Sequence, residues 1–442
     1  MADTQRHRRA RLIAAVGVLV SLALGLVACG DGTTPQPIGP EQTSAALAPD
    51  TVAALDAALA DAVALAGASG AIAGVWAPWA GQWQASPGTV GTTVDPATGR
   101  PSGGGPLDTG MRFRIGTQTT AMTCTVLLRL VDEKRVGLDD PAARYLTRQP
   151  GIDGITLRQL CQQTSGLGEP DLAAQFVNNP TRVWPPLEVI SSGLGATRAG
   201  EPGEVWSRSD AGVQLLGMAL EAATGETWPT LYDRYLFGPL RLGDTSFPAA
   251  RDLDVPGPHP HGWAATRAAD GRPDCNRMLD VSRLSTSMSG VAGGVVSTLG
   301  DLRTWSRALA TGSLLSAQSA AEQWQTVPES GVADWRRYGL GAEQVGPLRG
   351  AAGQIPGYLS ATLSDPESGL TVVVLVNESS AGADFALDLA RRLAAIAARA
   401  PASDGQAAPD LDLPWSADDA AAAMRVNAVC PAGTADQAVP AG

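Results

Sequence analysis

The chain has 442 residues, 44% of them hydrophobic, with 44 acidic against 32 basic side chains and a formal net charge of −12. That length and apolar content suffice for a large buried core. The acidic balance, with its charges scattered, argues against nucleic acid as a partner and against a basic membrane-binding patch.

The first twenty-eight residues read as a processing segment. Arg6, Arg8, Arg9 and Arg11 form a basic start, and Leu12 to Ala28 is an uncharged apolar run of seventeen residues. That is shorter than the ~20 residues a membrane helix needs and suits a signal peptide. The run ends in Leu26-Val27-Ala28-Cys29, which resembles a bacterial lipobox. The resemblance implies cleavage before Cys29, lipid on its thiol, and a mature protein exported and lipid-anchored to the outer face of the bacterial cell membrane. An ordinary secretory signal or an uncleaved anchor is the alternative. Residues 29–50, rich in Thr, Pro, Gly and Ala, read as a flexible tether.

Neither an internal repeat nor a Pro/Gly/Ser linker divides residues 51–400, which read as one large domain with an inserted lobe. Val52, Leu55, Leu59 and Val63 recur at helical spacing and predict a helix over 51–66. Ala71 to Trp76 predicts a strand with Gln82 to Ala85 as its hairpin partner, and the Gly- and Pro-rich stretch 95–110 a loop. From Thr117 to about Glu133 the pattern is helical and apolar nearly all round, which places this helix at the centre of the fold. Its threonines are poor helix formers and need tertiary packing to hold them. A short helix from Thr156 leads into Thr164-Ser165-Gly166-Leu167, and residues 168–200 and 225–290 read as a helical lobe. Asp301 to Leu309 predicts a helix. Tyr338 to Gln344, Tyr358 to Ser364 and Leu370 to Val376 predict strands, and Asp384 to Ala398 a long helix. Strands at both ends with helices between imply an α+β fold, an antiparallel sheet closed by sequence-distant partners. Residues 401–442 read as a loosely ordered tail tied down by Trp415 and Cys430.

Four cysteines follow Cys29: Cys124, Cys161, Cys275 and Cys430. An even number in an exported chain points to two disulfides with three possible connectivities. Pairing Cys124 with Cys161 would tie the central helix to the helix before Thr164, and pairing Cys275 with Cys430 would staple the tail to the body. No CxxC occurs, and His259 and His261 are the only histidines past the leader, so a metal site is not indicated.

The segment Phe113-Arg114-Ile115-Gly116-Thr117-Gln118-Thr119-Thr120 resembles the Phe-Arg-Ile-Gly-Ser-x-x-Lys motif of the serine β-lactamase and penicillin-binding-protein superfamily, in the branch of class C β-lactamases, D-Ala-D-Ala carboxypeptidases and esterases. Further segments keep the family order: Gly137-Leu138-Asp139-Asp140-Pro141, Thr164-Ser165-Gly166-Leu167, Pro202-Gly203-Glu204, Ala292-Gly293-Gly294 and Pro356-Gly357-Tyr358. The resemblance spans most of 51–398. It implies that family's sheet flanked by helices, a helical lobe and a cleft between them, with no cofactor. In the family the motif's Ser attacks a carbonyl while the Lys helps remove its proton. Here those positions are Thr117 and Thr120. The chain's single lysine, Lys134, would lie about 21 Å from Thr120 along a continuous helix.

Two further motifs are altered in the same way. The anchor Gly212 with Leu215-Leu216-Gly217 sets the register of the Tyr-x-Asn motif, which reads Arg208-Ser209-Asp210. The Lys/His-x-Gly motif falls at Ala351-Ala352-Gly353, where a glycine that lets substrate approach the strand survives and the proton-active residue is alanine. Asp210 is the one candidate base near Thr117, and Arg208 beside it is expected to lower its pKa.

The resemblance therefore implies an inactive cell-envelope lipoprotein whose cleft, at Thr117, Arg208, Asp210 and Gly353, binds a peptide, a cell-wall fragment or an envelope protein. A weak hydrolase using Thr117 is the alternative. Arg208 is the expected hook for a carboxylate, and its pairing with Asp210 is the competing expectation. His259 and His261 read as a surface loop, Arg112 and Arg114 as structural, and Trp206 as a cleft-wall residue.

Overall fold

The run Thr371–Val376 is buried at every position, as a strand covered on both faces must be. The computed structural model describes residues 40–43, 45–169, 172–267 and 272–430, and places this run in the middle of an eight-stranded sheet. The signal segment and Cys29 lie outside the described residues. In chain order the longer early strands are β1 (Ala71–Ala77) and β2 (Gly81–Ala85), then a separate hairpin β3 (Trp263–Arg267) and β4 (Pro273–Asp280). There follow β5 (Val327–Pro328), β6 (Arg336–Tyr338), β7 (Glu343–Val345), β8 (Leu348–Ile355), β9 (Tyr358–Ser364) and β10 (Thr371–Val376). The sheet order is β2-β1-β10-β9-β8-β7-β6-β5, antiparallel throughout. β1 pairs with β10 from Ala71↔Val376 to Trp76↔Thr371, so the two ends of the domain close the sheet, as the α+β expectation required.

Seven helices matter to the site: α1 (Pro49–Ala66), α2 (Thr119–Asp132), α3 (Leu157–Cys161), α4 (Asp210–Thr224), α5 (Leu299–Thr311), α6 (Ala383–Ala397) and α7 (Ala417–Asn427). Strand alternation divides the core in two. Ala351, Ile355, Val373 and Leu375 face the layer of α2, α4 and α5. Ala352, Val372 and Val374 face α1, α6 and α7. Helix α2 is buried on nearly every side, and its threonines are held by hydrogen bonds. Thr125 Oγ1 donates to the Ala121 carbonyl at 2.9 Å, and Thr119 Oγ1 to Gly116 at 2.8 Å. The Thr123 hydroxyl reaches Val291 O at 2.6 Å. A buried hydroxyl with an acceptor escapes the desolvation penalty that would otherwise destabilise the helix.

Four expectations change. The strand read over Tyr338–Gln344 is two strands, because Gly341 adopts a left-handed φ of 80° and turns the chain between β6 and β7. The lobe contains the hairpin β3–β4, whose strand β4 is largely solvent-facing and lacks an alternating apolar signal. The tail is not loose up to residue 430. Trp415 is buried and donates to the Arg391 carbonyl at 3.0 Å, and Ser416 with Asp419 forms a capping box that starts α7 against α6. The last residues of the supposed tether also pack on the fold, with Leu47 buried and Gln42 Nε2 donating to the Ala77 and Gly81 carbonyls.

Both disulfides are present, Cys124–Cys161 between α2 and the end of α3, and Cys275–Cys430 between β4 and the segment after α7. Among the described residues no helix is long and apolar enough to cross a membrane.

Candidate functional site

Thr117 lies in a 3-10 turn, Gly116–Gln118, that leads into α2. Gly116 has φ 57°, and a Cβ there would stand 2.4 Å from the carbonyl carbon of Gln354, so a glycine is required where the turn meets β8. Gln118 pins the other side, donating through Nε2 to Ser360 Oγ at 2.7 Å and accepting from Thr362 Oγ1 at 3.0 Å. β7 pairs only with residues 348–350 of β8, so residues 351–355 present an open edge in an otherwise internal strand. Thr117 is delivered to that edge.

The Thr117 hydroxyl has two donors and one backbone carbonyl around it. Its oxygen accepts from the Gln354 N–H at 3.2 Å and from Arg208 Nη2 at 3.3 Å, and the carbonyl of Ala352 lies 3.5 Å away. Among the described residues no carboxylate or imidazole hydrogen-bonds to it.

Arg208 is held by its neighbour in sequence. Ser209 donates its N–H to Gln163 Oε1 at 2.8 Å, and its hydroxyl caps α4 by accepting from Gly212 N. That leaves Arg208 at the cleft mouth, exposed, with no ion-pair partner among the described residues. The expected Arg208–Asp210 pair is therefore not formed. Glu169 accepts the Asp210 N–H at 2.7 Å, which brings two carboxylates together at the start of α4. Burial raises the Asp210 pKa more than Arg208 lowers it, which reverses the expected direction. Burial and then the Asp210 charge push the Glu169 carboxyl up as well, although part of its side chain still reaches solvent.

These groups line a cavity of about 440 Å³ whose walls include Thr117, Glu169, Arg208, Asp210, Ser289 and Gln354. Three sequence-identified positions thus meet here: Thr117, Arg208 and Asp210. Thr120 and Ala351 lie buried behind the wall, Thr120 donating to the Ala292 carbonyl at 3.3 Å. Gly353 also has a packing role. A Cβ there would come 2.0 Å from the Ile115 carbonyl, so the glycine lets the turn before α2 approach β8. Glu169 and Gln354 were missed, though Glu169 follows the noted Thr164–Leu167 segment by two residues. His261 pairs with Asp280 at 2.6 Å and His259 with the Gly257 carbonyl, away from the cavity. Arg112 pairs with Asp244, and buried Arg114 donates to the Leu253 carbonyl.

The model of the family described as Beta-lactamase matches residues 55–397. The chain belongs to the beta-lactamase family. Among curated relatives, the D-alanyl-D-alanine-carboxypeptidase/endopeptidase AmpH of Escherichia coli (strain K12) is 29% identical over 223 residues, 48% of this chain and 53% of that protein. The chain thus spans about half the length of the curated relatives it first matches. A D-stereospecific amidohydrolase from Streptomyces sp. is similar with a TM-score of 0.63 and 27% identity, over 74% of this chain and 95% of that one. The D-amino acid amidase of Ochrobactrum anthropi SV3 shares the fold at a TM-score of 0.61 and 23% identity, over 75% and 92%. In this beta-lactamase-family chain the positions of the three motifs are brought to one cleft and its back wall by the fold, with threonine, arginine and alanine where the family's proton-moving side chains are expected.

The loop after β10 forms part of the same cleft through Ser379 and Ser380, and Glu378 beside them is fully buried. Burial pushes its carboxyl up to about 8, against the hydrogen bonds from Ser380 and the charge of Arg100, and one of its oxygens has no partner. The folded chain therefore holds a proton that the unfolded chain releases near pH 4.5, and stability falls as pH rises from there to about 8. Glu378→Gln is expected to stabilise the protein above pH ~8 and to have little effect below pH ~4.5. Urea unfolding at both pH values measures it, and an equal effect at both would refute the assignment.

Proposed function

We propose that this beta-lactamase-related, serine hydrolase-type domain binds its ligand without hydrolysing it, on a lipoprotein carried through Cys29 at the outer face of the cell membrane. The observation that carries the reading is the environment of the Thr117 hydroxyl. A nucleophilic hydroxyl needs a neighbouring group to take its proton. Here two N–H donors, one of them cationic, occupy its lone pairs. Thr120 and Ala351 bring no basic atom.

Arg208 supports the binding half of the reading. Beyond its bond to Thr117 its remaining N–H groups meet no acceptor among the described residues, and a guanidinium in that state suits a terminal carboxylate. The names of the relatives, a D-alanyl-D-alanine-carboxypeptidase/endopeptidase and a D-stereospecific amidohydrolase, favour a peptide ending in D-amino acids, as in a cell-wall fragment.

Intact-mass spectrometry after incubation with benzylpenicillin and with a fluorophosphonate probe is expected to return the unmodified mass. An adduct that disappears in Thr117→Val would replace this reading with that of a weak hydrolase.

A further inference from the structure

A second cavity, of about 320 Å³, shares no wall residue with the cleft. Gln214, Gly217, Met218 and Glu221 recur at helical spacing and lay one stripe of α4 along it, and Trp228 and Phe247 add aromatic walls. Among the described residues Glu221 is the one ionisable side chain on the wall, and no charged group acts on it. It sits in the last turn of α4, where the negative end of the helix disfavours a carboxylate, and no basic residue shares that turn. Burial raises its pKa, against a hydrogen bond from the Trp228 N–H.

The side-chain donor atoms of the wall already hold acceptors. Trp228 Nε1 donates to the Gly217 carbonyl at 3.2 Å, and Thr286 Oγ1 to the Pro248 carbonyl at 3.1 Å. Ser285 directs its proton to the Ala250 carbonyl at 2.7 Å, so the Ser287 hydroxyl donates to Ser285 Oγ at 2.6 Å. Gln214 is 4% exposed and donates through Nε2 to the Met288 carbonyl at 3.3 Å. That bond fixes its amide and leaves Oε1 without a donor among the described residues.

We propose that this cavity binds an arylalkyl ammonium ion, its charge on Glu221 and its apolar body against Met218, Trp228 and Phe247. Two acceptors open to a ligand, with each side-chain donor atom engaged, favour a molecule that donates. An unpaired carboxylate at the negative end of a helix favours one that is also cationic. Aromatic faces on the same wall add attraction for that charge. A cavity of this size suits a small organic molecule, and one carboxylate offers too few oxygens for a hard metal ion. The site does not depend on the role given above to Arg208. Segment 286–291 separates the two cavities, since Ser289 lines the cleft while Gly290 and Val291 line this one.

The test is calorimetric titration of the full chain with phenethylammonium chloride and with phenethyl alcohol, which keeps the ring and stem and removes the charge. The ammonium is expected to bind about tenfold tighter, the scale of one hydrogen bond to a charged group. Glu221→Gln should erase that preference, and should fold at least as well as the unaltered chain because it relieves the helix end. Met218→Trp, which fills the cavity from a partly exposed position, should abolish binding of both compounds; Glu221→Gln decides alone if that variant does not fold. Equal affinity for the two compounds, or no saturable binding of either, overturns the proposal. A preference that survives Glu221→Gln puts the cation elsewhere, as on the cleft carboxylates Glu169 and Asp210, and overturns it equally.

Discussion

Arg208→Ala is expected to weaken binding of N-acetyl-D-Ala-D-Ala about a hundredfold, because it removes the guanidinium that stands beside Thr117 in the cleft. Loss of one member of a desolvated, hydrogen-bonded charge pair costs about 2–5 kcal/mol, and a hundredfold lies within that range. Arg208→Lys should recover part of the affinity, since the charge returns without the planar fork. Folding stability should change little, because Arg208 makes one long hydrogen bond, to Thr117, and no ion pair among the described residues. Calorimetric titration alongside thermal unfolding separates the two effects. Unchanged affinity in a folded Arg208→Ala protein would remove Arg208 from the site. Thr117→Ser, incubated with benzylpenicillin and read by intact mass, should gain no acylation, since the hydroxyl would keep its donors and still lack a base.

The second large effect concerns stability. Replacing Cys124 and Cys161 together by serine is expected to lower the unfolding free energy by about 4 kcal/mol, from the chain entropy of a loop with a sequence separation of 37. Both cysteines are fully buried, so the new hydroxyls add a desolvation cost. The Cys275–Cys430 bond closes a far longer loop, with a separation of 155, and chain entropy alone would rank it higher. Cys275, however, lies on the largely solvent-facing strand β4, where serine is readily solvated. The core pair should therefore cost more, as read from urea midpoints. The opposite order would mean that loop length outweighs burial here.

Much of the frame was legible before any coordinates. The helical spacing of Leu55 and Leu59, the apolar run 372–376 and the all-round burial of α2 are local signals, because burial on one or both faces imposes its period on the residues. The break of Tyr338–Gln344 at Gly341 and the capping box at Ser416 are also written locally, in a glycine and in a Ser-x-x-Asp spacing. The hairpin β3–β4 carried no such signal, since a solvent-facing strand has no reason to alternate.

The site divides along the same line. From residue order alone, the family of the fold, the three altered motifs and the candidate cleft residues Thr117, Arg208 and Asp210 could be identified, because a motif is a local statement about residue type and spacing. Only the tertiary structure decided what those residues touch. It set Arg208 on Thr117 rather than on Asp210, put Glu169 against the start of α4, packed Gly353 against the Ile115 carbonyl, and brought Glu329 to a cavity that Arg208 also lines. Those contacts join residues many turns of chain apart through an antiparallel sheet. Their balance of burial against charge depends on everything packed around them, and no spacing in the sequence encodes it.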